Sequence, residues 1–301
     1  MNESMARRVV TLTRTFDAPR ELVFKAWTEA GHLAQWWGPD GFSVSSAESD
    51  PRVGGSLKLV MRGADGIDHP MSATYREIVP PELLVVESIA GGADGQPLLA
   101  AQHSVTFADR EGRTEITVRA EATALVPEAI AMVGGMHAGF NQSLQCLDDV
   151  LTGTVDRQLV VSRLLQATPD RVFEMWTSRE HIDKWWGPTG FSITLDQMDV
   201  RPRAEWRFTM RGPDGVDYPN AIVYDEVNPA DRLVYTHLAP RFQTIVTFDE
   251  MMGMTALTMR LVFGSQPERD VSSQKYRARE GGEQTLDRLA QLVKTEARAT
   301  P

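Results

Sequence analysis

Phe24–Ser43 reads FKAWTEAGHLAQWWGPDGFS, and 149 residues further along Phe173–Ser192 reads FEMWTSREHIDKWWGPTGFS. In both stretches the aromatic residues recur at the spacing of one helical face, and a Gly-Pro pair then stops the helix. The same offset relates MRGADGIDHP at 61–70 to MRGPDGVDYP at 210–219. Self-similarity of this kind indicates that a whole structural unit has been duplicated within the chain.

The offset shortens to 141 residues further on, where Val105-Thr106-Phe107 aligns with Val246-Thr247-Phe248. The first copy therefore carries eight extra residues, which we place in the Gly-rich turn AGGADGQP at 90–97. The period is far longer than the ~20–50 residues of a solenoid repeat, so each copy is expected to be a complete domain. We predict two domains, residues 1–153 and residues 154–301.

The composition is that of an ordinary globular protein with an excess of acid. The 301 residues include 31 Lys and Arg against 41 Asp and Glu, a formal net charge of −10. Nucleic acid and anionic membranes both require a basic surface, so neither is predicted as a partner. The single cysteine, Cys146, excludes an intrachain disulfide and a zinc site built of thiolates. No signal peptide and no apolar run of ~18 residues is present, so a cytoplasmic location is expected.

Each copy reads as a strand, two short helices, a series of strands and a long helix. Apolar and polar residues alternate in the opening strands, RRVVTLTRTF and DRQLVVSRLL. Pro19 and Pro169 are suited to the start of the helices that follow. In the first copy, further strands are predicted at 71–79, 83–89, 102–108 and 114–122. Helices segregated from an antiparallel sheet indicate an α+β fold.

A set of motifs shared by both copies carries a resemblance to a known family. They are Ala18-Pro19, Val23-Phe24, Ala26-Trp27-Thr28, Trp36-Trp37-Gly38-Pro39, Met61-Arg62-Gly63, Asp65-Gly66, Tyr75 and Glu77, with counterparts from Ala167 to Glu226. Each copy resembles the SRPBCC superfamily, the helix-grip fold of START domains and birch-pollen-allergen-like proteins. Within it, each copy looks like the family named for similarity to the activator of the heat-shock-protein-90 ATPase. The resemblance implies tandem helix-grip domains, each a curved antiparallel sheet around its long C-terminal helix, with a cavity between the two.

The last helices of the two copies differ in sequence. Members of this family often carry Gly-Trp there, whereas this chain has Gly139-Phe140 in the first copy and Gly281-Gly282 in the second. The last helix of the first copy is preceded by an apolar, Met-rich segment. The last helix of the second copy is preceded by the polar segment SSQKYRAREGGEQ. Methionine adapts readily to apolar ligands, so we expect the first copy to bind the ligand if only one does. Trp206 and Phe208 are large enough to fill the second cavity.

The candidate binding residues are apolar side chains with a few polar ones among them, as in most small-molecule pockets. His103 and His237 share strand parity with apolar neighbours and are expected to point inward. Trp37 and Trp186 are expected at the mouths of the cavities. The full set predicted to line the two cavities is Trp37, Leu59, Met61, Tyr75, His103, Met136, Phe140, Trp186, Phe208, Met210, Tyr224 and His237.

Tyr75 and Glu77 are expected on one face of a strand, where a buried pair could exchange a proton. The alternative is that one of the two packs in the core while the other is exposed at the rim or pairs with an arginine, for which Arg62 is the candidate. The second copy repeats this pattern with Tyr224, Glu226 and Arg211. No catalytic, phosphate-binding or dinucleotide motif is present, and the histidines are not spaced as metal ligands, so no cofactor or metal is predicted.

Three functions are compatible with these features. The first is the binding of a small hydrophobic molecule between sheet and helix, mainly in the first domain. The second is an enzyme like the polyketide cyclases and dehydratases of the superfamily, using Tyr75, Glu77 or His103 for an acid–base step. The third, implied by the family name, is an interaction protein that stimulates a chaperone ATPase; self-association is a further possibility.

Overall fold

The computed structural model describes residues 6–63 and 65–299 of the chain. Residues 1–5, Ala64 and residues 300–301 lie outside the described residues, so the outer ends of the two predicted domains are not described. The chain divides into two compact units, residues 1–155 and 156–301.

The described residues of the first unit form seven strands and four helices. The strands are β1 (Arg7–Phe16), β2 (Ser43–Ser49), β3 (Ser56–Arg62), β4 (Asp68–Val79), β5 (Leu83–Gly91), β6 (Pro97–Arg110) and β7 (Arg113–Ala124). The helices are α1 (Arg20–Thr28), α2 (Ala30–Trp36), α3 (Ile130–Gly134) and α4 (Met136–Thr152), with a 3-10 turn at Pro127–Ala129. All neighbouring strands are antiparallel, in the order β1-β7-β6-β5-β4-β3-β2.

The second unit repeats this architecture. Its strands are β8 (Gln158–Leu165), β9 (Ser192–Met198), β10 (Glu205–Arg211), β11 (Asp217–Asn228), β12 (Arg232–Leu238), β13 (Arg241–Met251) and β14 (Met254–Phe263). Its helices are α5 (Pro169–Thr177), α6 (Arg179–Trp185), α7 (Gln266–Gln274) and α8 (Ala278–Ala299). The strand order β8-β14-β13-β12-β11-β10-β9 is that of the first sheet, so the predicted duplicated α+β fold is confirmed.

The extra residues of the first copy lengthen one hairpin. β5 and β6 have 9 and 14 residues, whereas the matching β12 and β13 have 7 and 11. The turn is longer as well, since residues 92–96 join the first pair and Ala239-Pro240 joins the second. The insertion predicted at 90–97 is therefore shared between the turn and the strands on both sides of it.

Each long helix completes a hydrophobic core with one face of its sheet. On α4, Leu144 and Leu147 are buried in the same cluster as Leu57 of β3 and Val118 of β7. The second core contains the α8 side chains Leu286, Leu289 and Val293. Burial of one apolar stripe of the helix against a sheet is the main source of stability in such a layer arrangement. None of the helices in the described part of the chain combines the length and apolarity that a membrane span requires.

The Trp-Trp-Gly-Pro segment is part of the core. Trp27, Trp36 and Trp37 form a cluster with ring centroids 4.9 to 5.9 Å apart, and the Trp36 indole donates to the Ala26 carbonyl at 2.9 Å. Gly38 follows with a φ of +116°, a conformation that L side chains rarely adopt. The second unit repeats the cluster with Trp176, Trp185 and Trp186. This packing role does not prevent Trp37 and Trp186 from also facing the interior space described below.

Candidate functional site

The space between sheet and helix is nearly closed in the first unit. It amounts to about 10 Å³, too little for an organic ligand. Phe140 of α4 contributes to this closure, because its ring lies 5.4 Å from the ring of His103 on the opposing wall. The lining residues are Trp27, Trp37, Leu57, Met71, Leu84, Val86, Ser88, His103 and Val105.

The corresponding space in the second unit is a cavity of about 300 Å³. Three groups of residues surround it: those after α6, those on the inner face of the sheet, and those at the start of α8. The first two groups are Trp186, Gly187, Pro188, Phe208, Met210, Asn220, Tyr235, His237, Phe242, Thr244, Met259 and Leu261. The third is Tyr276, Arg277, Ala278, Gly281, Gly282 and Thr285.

The difference between the two units lies at the start of the long helix. α4 begins at Met136 and α8 at Ala278, so Phe140 corresponds to Gly282. Where the first unit has two large side chains, the second has a methyl group and a hydrogen atom. The expectation that the first domain holds the ligand is not supported by these volumes, since the larger space lies in the second domain. That expectation rested on the apolar character of the helix, whereas the volume of its side chains determines how much space remains.

Two large aromatic residues narrow the second cavity without filling it. Trp206 and Phe208 are stacked with ring centroids 4.3 Å apart. The ring centroid of Trp186 lies 4.8 Å from that of Trp206. Stacking directs the indole of Trp206 into the core, where it is completely buried. Phe208 alone of this stacked pair lines the cavity, and Trp186 forms another part of the wall.

Each unit has one histidine and one hydroxyl residue on two neighbouring strands, but the two residues are exchanged between the strands from one unit to the other. In the first, Ser88 lies on β5 and His103 on β6, with 3.0 Å between the serine Oγ and the histidine Nε2. In the second, His237 lies on β12 and Thr244 on β13, in the matching positions, and both line the cavity. The His237 ring stacks on Phe242 with centroids 4.1 Å apart. Both histidines face the interior, as the strand parity predicts.

The buried titratable groups on the sheet walls of the two cavities are uncharged at neutral pH. Burial lowers the pKa of both His103 and His237 to about 4. Burial also raises the pKa of Tyr235 well above its ordinary value, and its hydroxyl lies opposite Thr244 in the strand register. The walls of the second cavity therefore offer neutral hydrogen-bonding groups among apolar side chains, as is usual for small-molecule pockets.

The predicted tyrosine–glutamate pair does not form in either unit. A β-bulge separates Tyr75 from Glu77, so the tyrosine is fully buried while the glutamate is exposed. The alternative, with one residue packed and the other exposed, is the arrangement found, although Arg62, its suggested arginine partner, binds Asp68 at 2.8 Å instead. In the second unit a bulge likewise separates Tyr224 from Glu226, which pairs with Arg232, while Arg211 pairs with Asp217. A shared acid–base site of Tyr75, Glu77 and His103 is not assembled.

Six of the predicted residues line the two cavities and six do not. Those that line them are Trp37, His103, Trp186, Phe208, Met210 and His237. Leu59, Tyr75 and Tyr224 are buried in the cores, and Met136 and Phe140 pack against the first core. Met61 is half-buried, with its Sδ 3.6 Å from the place that a Cβ on Gly38 would occupy.

Several residues of the second cavity were not predicted from the sequence. Thr244, Phe242 and Met259 could have been found from strand parity, since they share the inner face with His237. Gly281 and Gly282 were visible as a departure from the family pattern, although their effect on volume was not. No group of His, Cys, Asp and Glu side chains within residues 6–63 and 65–299 is arranged to hold a metal ion.

Comparisons with known proteins match both halves of the chain. The profile of the family described as Activator of Hsp90 ATPase homolog 1-like protein matches residues 17–152 and again residues 166–294. A structure from Chromobacterium violaceum is 26% identical, and the match covers 48% of this chain and 96% of that one, with a TM-score of 0.41. A structure from Rhizobium leguminosarum is 22% identical, with coverages of 50% and 97% and a TM-score of 0.45. No curated protein matches the chain.

Proposed function

The chain belongs to the family of Activator of Hsp90 ATPase homolog 1-like proteins, and we propose that its second domain binds a small apolar molecule between the sheet and α8. The observation that carries the proposal is the cavity of about 300 Å³. This volume is at the small end of the range for ligand pockets, which is about 300–1,000 Å³. The family name refers to activation of a chaperone ATPase, whereas the proposal rests on the side chains of this chain.

The chemistry of the walls supports an apolar ligand. Phe208, Met210, Phe242, Met259 and Leu261 supply aromatic and aliphatic surface. Removing apolar ligand surface from water contributes about 25 cal/mol per Å², so most of the binding energy comes from these contacts. The methionines can adjust their shape to the ligand, because their side chains are unbranched and flexible.

A few neutral groups orient the ligand within this apolar space. The ring of His237 has no hydrogen bond among the described residues, and the ring faces the cavity beside Phe242. An uncharged imidazole offers one N–H donor and one nitrogen acceptor. A ligand with one hydroxyl or carbonyl group can therefore be fixed in a single orientation.

The experiment compares variants that give the second cavity the side chains of the first. The neutral fluorophore N-phenyl-1-naphthylamine is titrated into the full chain and its fluorescence is recorded. Ala278→Met and Gly282→Phe introduce the residues that stand at Met136 and Phe140. A Cβ at position 282 would lie 3.1 Å from the Met259 Cε, so Ala278→Met is the less strained of the two.

We expect saturable binding to the wild type and a loss of about tenfold or more in affinity, about 1.4 kcal/mol, in both variants. Gly139→Phe on α4 is the matched control, because a Cβ there meets open space and the second cavity is untouched. Circular dichroism and thermal unfolding verify that each variant is folded. Absence of binding by the wild type, or unchanged affinity in folded Ala278→Met, would contradict the proposal.

A further inference from the structure

The mouth of the second cavity carries a positive charge. Among the residues that line the cavity, Arg277 is the only Arg or Lys, and Asp and Glu are absent from them. The Arg277 side chain is 75% exposed, which places it at the opening. Tyr276 and Ala278 line the cavity next to it, so the start of α8 forms one side of the mouth.

The backbone at Arg277 is strained. Its φ of +51° lies in the left-handed region, which costs a residue with a side chain about 1 kcal/mol. The matching residue in the first unit is Gly135, which precedes α4 as Arg277 precedes α8. Strained conformations of this kind accumulate at functional sites. Gly135 itself has a φ of −84°, so the matching residue of the first unit does not share the left-handed conformation of Arg277.

The positive charge at the mouth is only partly neutralised by the protein. The partner that the structure gives Arg277, among the described residues, is Glu280, with 3.4 Å between the guanidinium Nε and the carboxylate Oε1. Lys275 adds a second cation, since its Nζ lies 5.2 Å from the centre of the Tyr276 ring. The positive end of the α8 dipole also points toward this opening. In a chain with a net charge of −10, these local charges provide the attraction that an anion would need.

We propose that the ligand of the second cavity is an amphipathic organic anion, whose apolar ring or chain enters the cavity while its anionic oxygens remain at the mouth against Arg277. This inference rests on the proposed function and specifies the class of ligand. A guanidinium can bind a carboxylate or sulfonate through two parallel N–H···O bonds, which fixes orientation as well as adding affinity. The apolar part reaches the walls formed by Phe208, Phe242 and Leu261.

The test uses two fluorophores that differ by one anionic group. 8-Anilinonaphthalene-1-sulfonate has the ring system of N-phenyl-1-naphthylamine with a sulfonate added. Both are titrated into the full-length wild type, Arg277→Gly, Arg277→Lys and the control Arg207→Gln. Arg277→Gly introduces the residue of the first unit and relieves the positive φ, so folding is preserved. Arg207 is an exposed arginine elsewhere in the second unit, paired with Glu205.

We expect Arg277→Gly to weaken binding of the sulfonate about fivefold to tenfold while changing binding of the neutral fluorophore by less than about twofold. Arg277→Lys should recover part of the loss, and Arg207→Gln should change neither affinity. Ala278→Met should weaken both fluorophores, which verifies that the sulfonate occupies the cavity.

Two results would contradict the anionic class of ligand without contradicting the proposed apolar site. If the neutral fluorophore binds in a manner sensitive to Ala278→Met but Arg277→Gly leaves sulfonate binding unchanged, the anionic class is wrong and the apolar site stands. An equal loss for both fluorophores in Arg277→Gly also overturns the inference, because the arginine would then act on the shape of the mouth. If the wild type binds neither fluorophore, both proposals fail.

Discussion

Tyr75 and Tyr224 occupy matching positions on β4 and β11, yet their hydroxyl groups differ. The Tyr75 hydroxyl lies 2.8 Å from the Ser49 Oγ, which itself donates to the Thr28 carbonyl, so the tyrosine is the donor. The Tyr224 hydroxyl is buried and has no hydrogen-bond partner in the part of the chain that the structure describes. The cause is in the sequence, since Met198 stands where the first copy has Ser49. A buried hydroxyl without a partner lowers stability.

This difference predicts opposite effects for the same substitution. Tyr75→Phe removes a hydrogen bond and leaves Ser49 without its donor, so it should lower the free energy of unfolding by about 1 kcal/mol. Tyr224→Phe removes only an unsatisfied hydroxyl and should be neutral or stabilising. Urea unfolding of the full chain measures both. A loss of stability in Tyr224→Phe as large as that in Tyr75→Phe would show that its hydroxyl has a partner.

A dependence of stability on pH follows from His103. Burial lowers the pKa of His103 to about 4 in the folded state, against about 6.5 when unfolded. The unfolded state therefore binds the proton more readily, and the contribution to stability is complete above about pH 6.5 and lost as the pH falls toward about 4. Between about pH 7 and pH 5 the loss should be about 2 kcal/mol.

The measurement is urea unfolding of the wild type and His103→Gln at both pH values. The variant should have a lower stability at neutral pH and lose the part of the pH dependence that comes from His103, whereas the part that comes from His237 remains. If His103→Gln retains the pH dependence of the wild type, His103 does not titrate as its burial predicts.

At the scale of the elements, α8 is attached to the turn after α6. Arg288 Nη1 lies 2.9 to 3.3 Å from the carbonyl oxygens of Trp186, Gly187, Pro188 and Phe191, which share its two N–H groups. The first unit has Cys146 at the matching position, a side chain without this capacity. The turn also forms part of the cavity wall, so in the second unit one arginine joins the long helix to the wall.

Arg288→Ala should lower the free energy of unfolding by about 2 kcal/mol, because several charge-assisted hydrogen bonds are lost from a partly buried site. It should also weaken binding of the neutral fluorophore, since the turn would no longer be held against the cavity. Arg288→Lys should restore only part of the stability and part of the affinity, because one ammonium group cannot donate hydrogen bonds to the same set of carbonyls. Thermal unfolding and titration measure the two effects. An unchanged midpoint in Arg288→Ala would contradict this role.

At the scale of the whole molecule, the duplication predicts a stoichiometry. One space is nearly closed and the other holds about 300 Å³, so the full chain should bind one neutral fluorophore. Phe140→Ala and Met136→Ala reduce the side chains that close the first space. We expect a second bound molecule in at least one of them, observed by native mass spectrometry. Two molecules on the wild type, or one on both folded variants, would contradict this account.

The native mass spectrometry experiment requires that Phe140→Ala and Met136→Ala remain folded. Replacing a core phenylalanine by alanine costs about 3 kcal/mol, because the cavity left behind relaxes only partly. Phe140 is only half-buried, so the cost should lie below that of a core residue. Met136→Ala is the milder variant, since the substitution introduces the residue type that already begins α8.

Most of the fold could be predicted from the sequence. The alternating or helical spacing of apolar residues determines which local element forms. Because the chain is duplicated, each of these patterns occurs twice. The strands β2 and β9 were missed. Their segments, SVSSAES and SITLDQM, are edge strands with few buried side chains, so alternation is weak in them. The β-bulges after Tyr75 and Tyr224 were also missed, because a single extra residue reverses a face without leaving a pattern in the sequence.

Two duplicated α+β domains, most of their strand and helix order, and the inward orientation of His103 and His237 follow from the sequence alone. These properties follow from local periodicity, which each segment carries alone. Which unit has room for a ligand, and where its charged mouth lies, depends instead on tertiary packing. Free volume depends on side chains from strands and helix that are far apart in sequence. The effect on free volume of having Gly282 in place of Phe140 therefore becomes visible only when the helix is packed against the sheet.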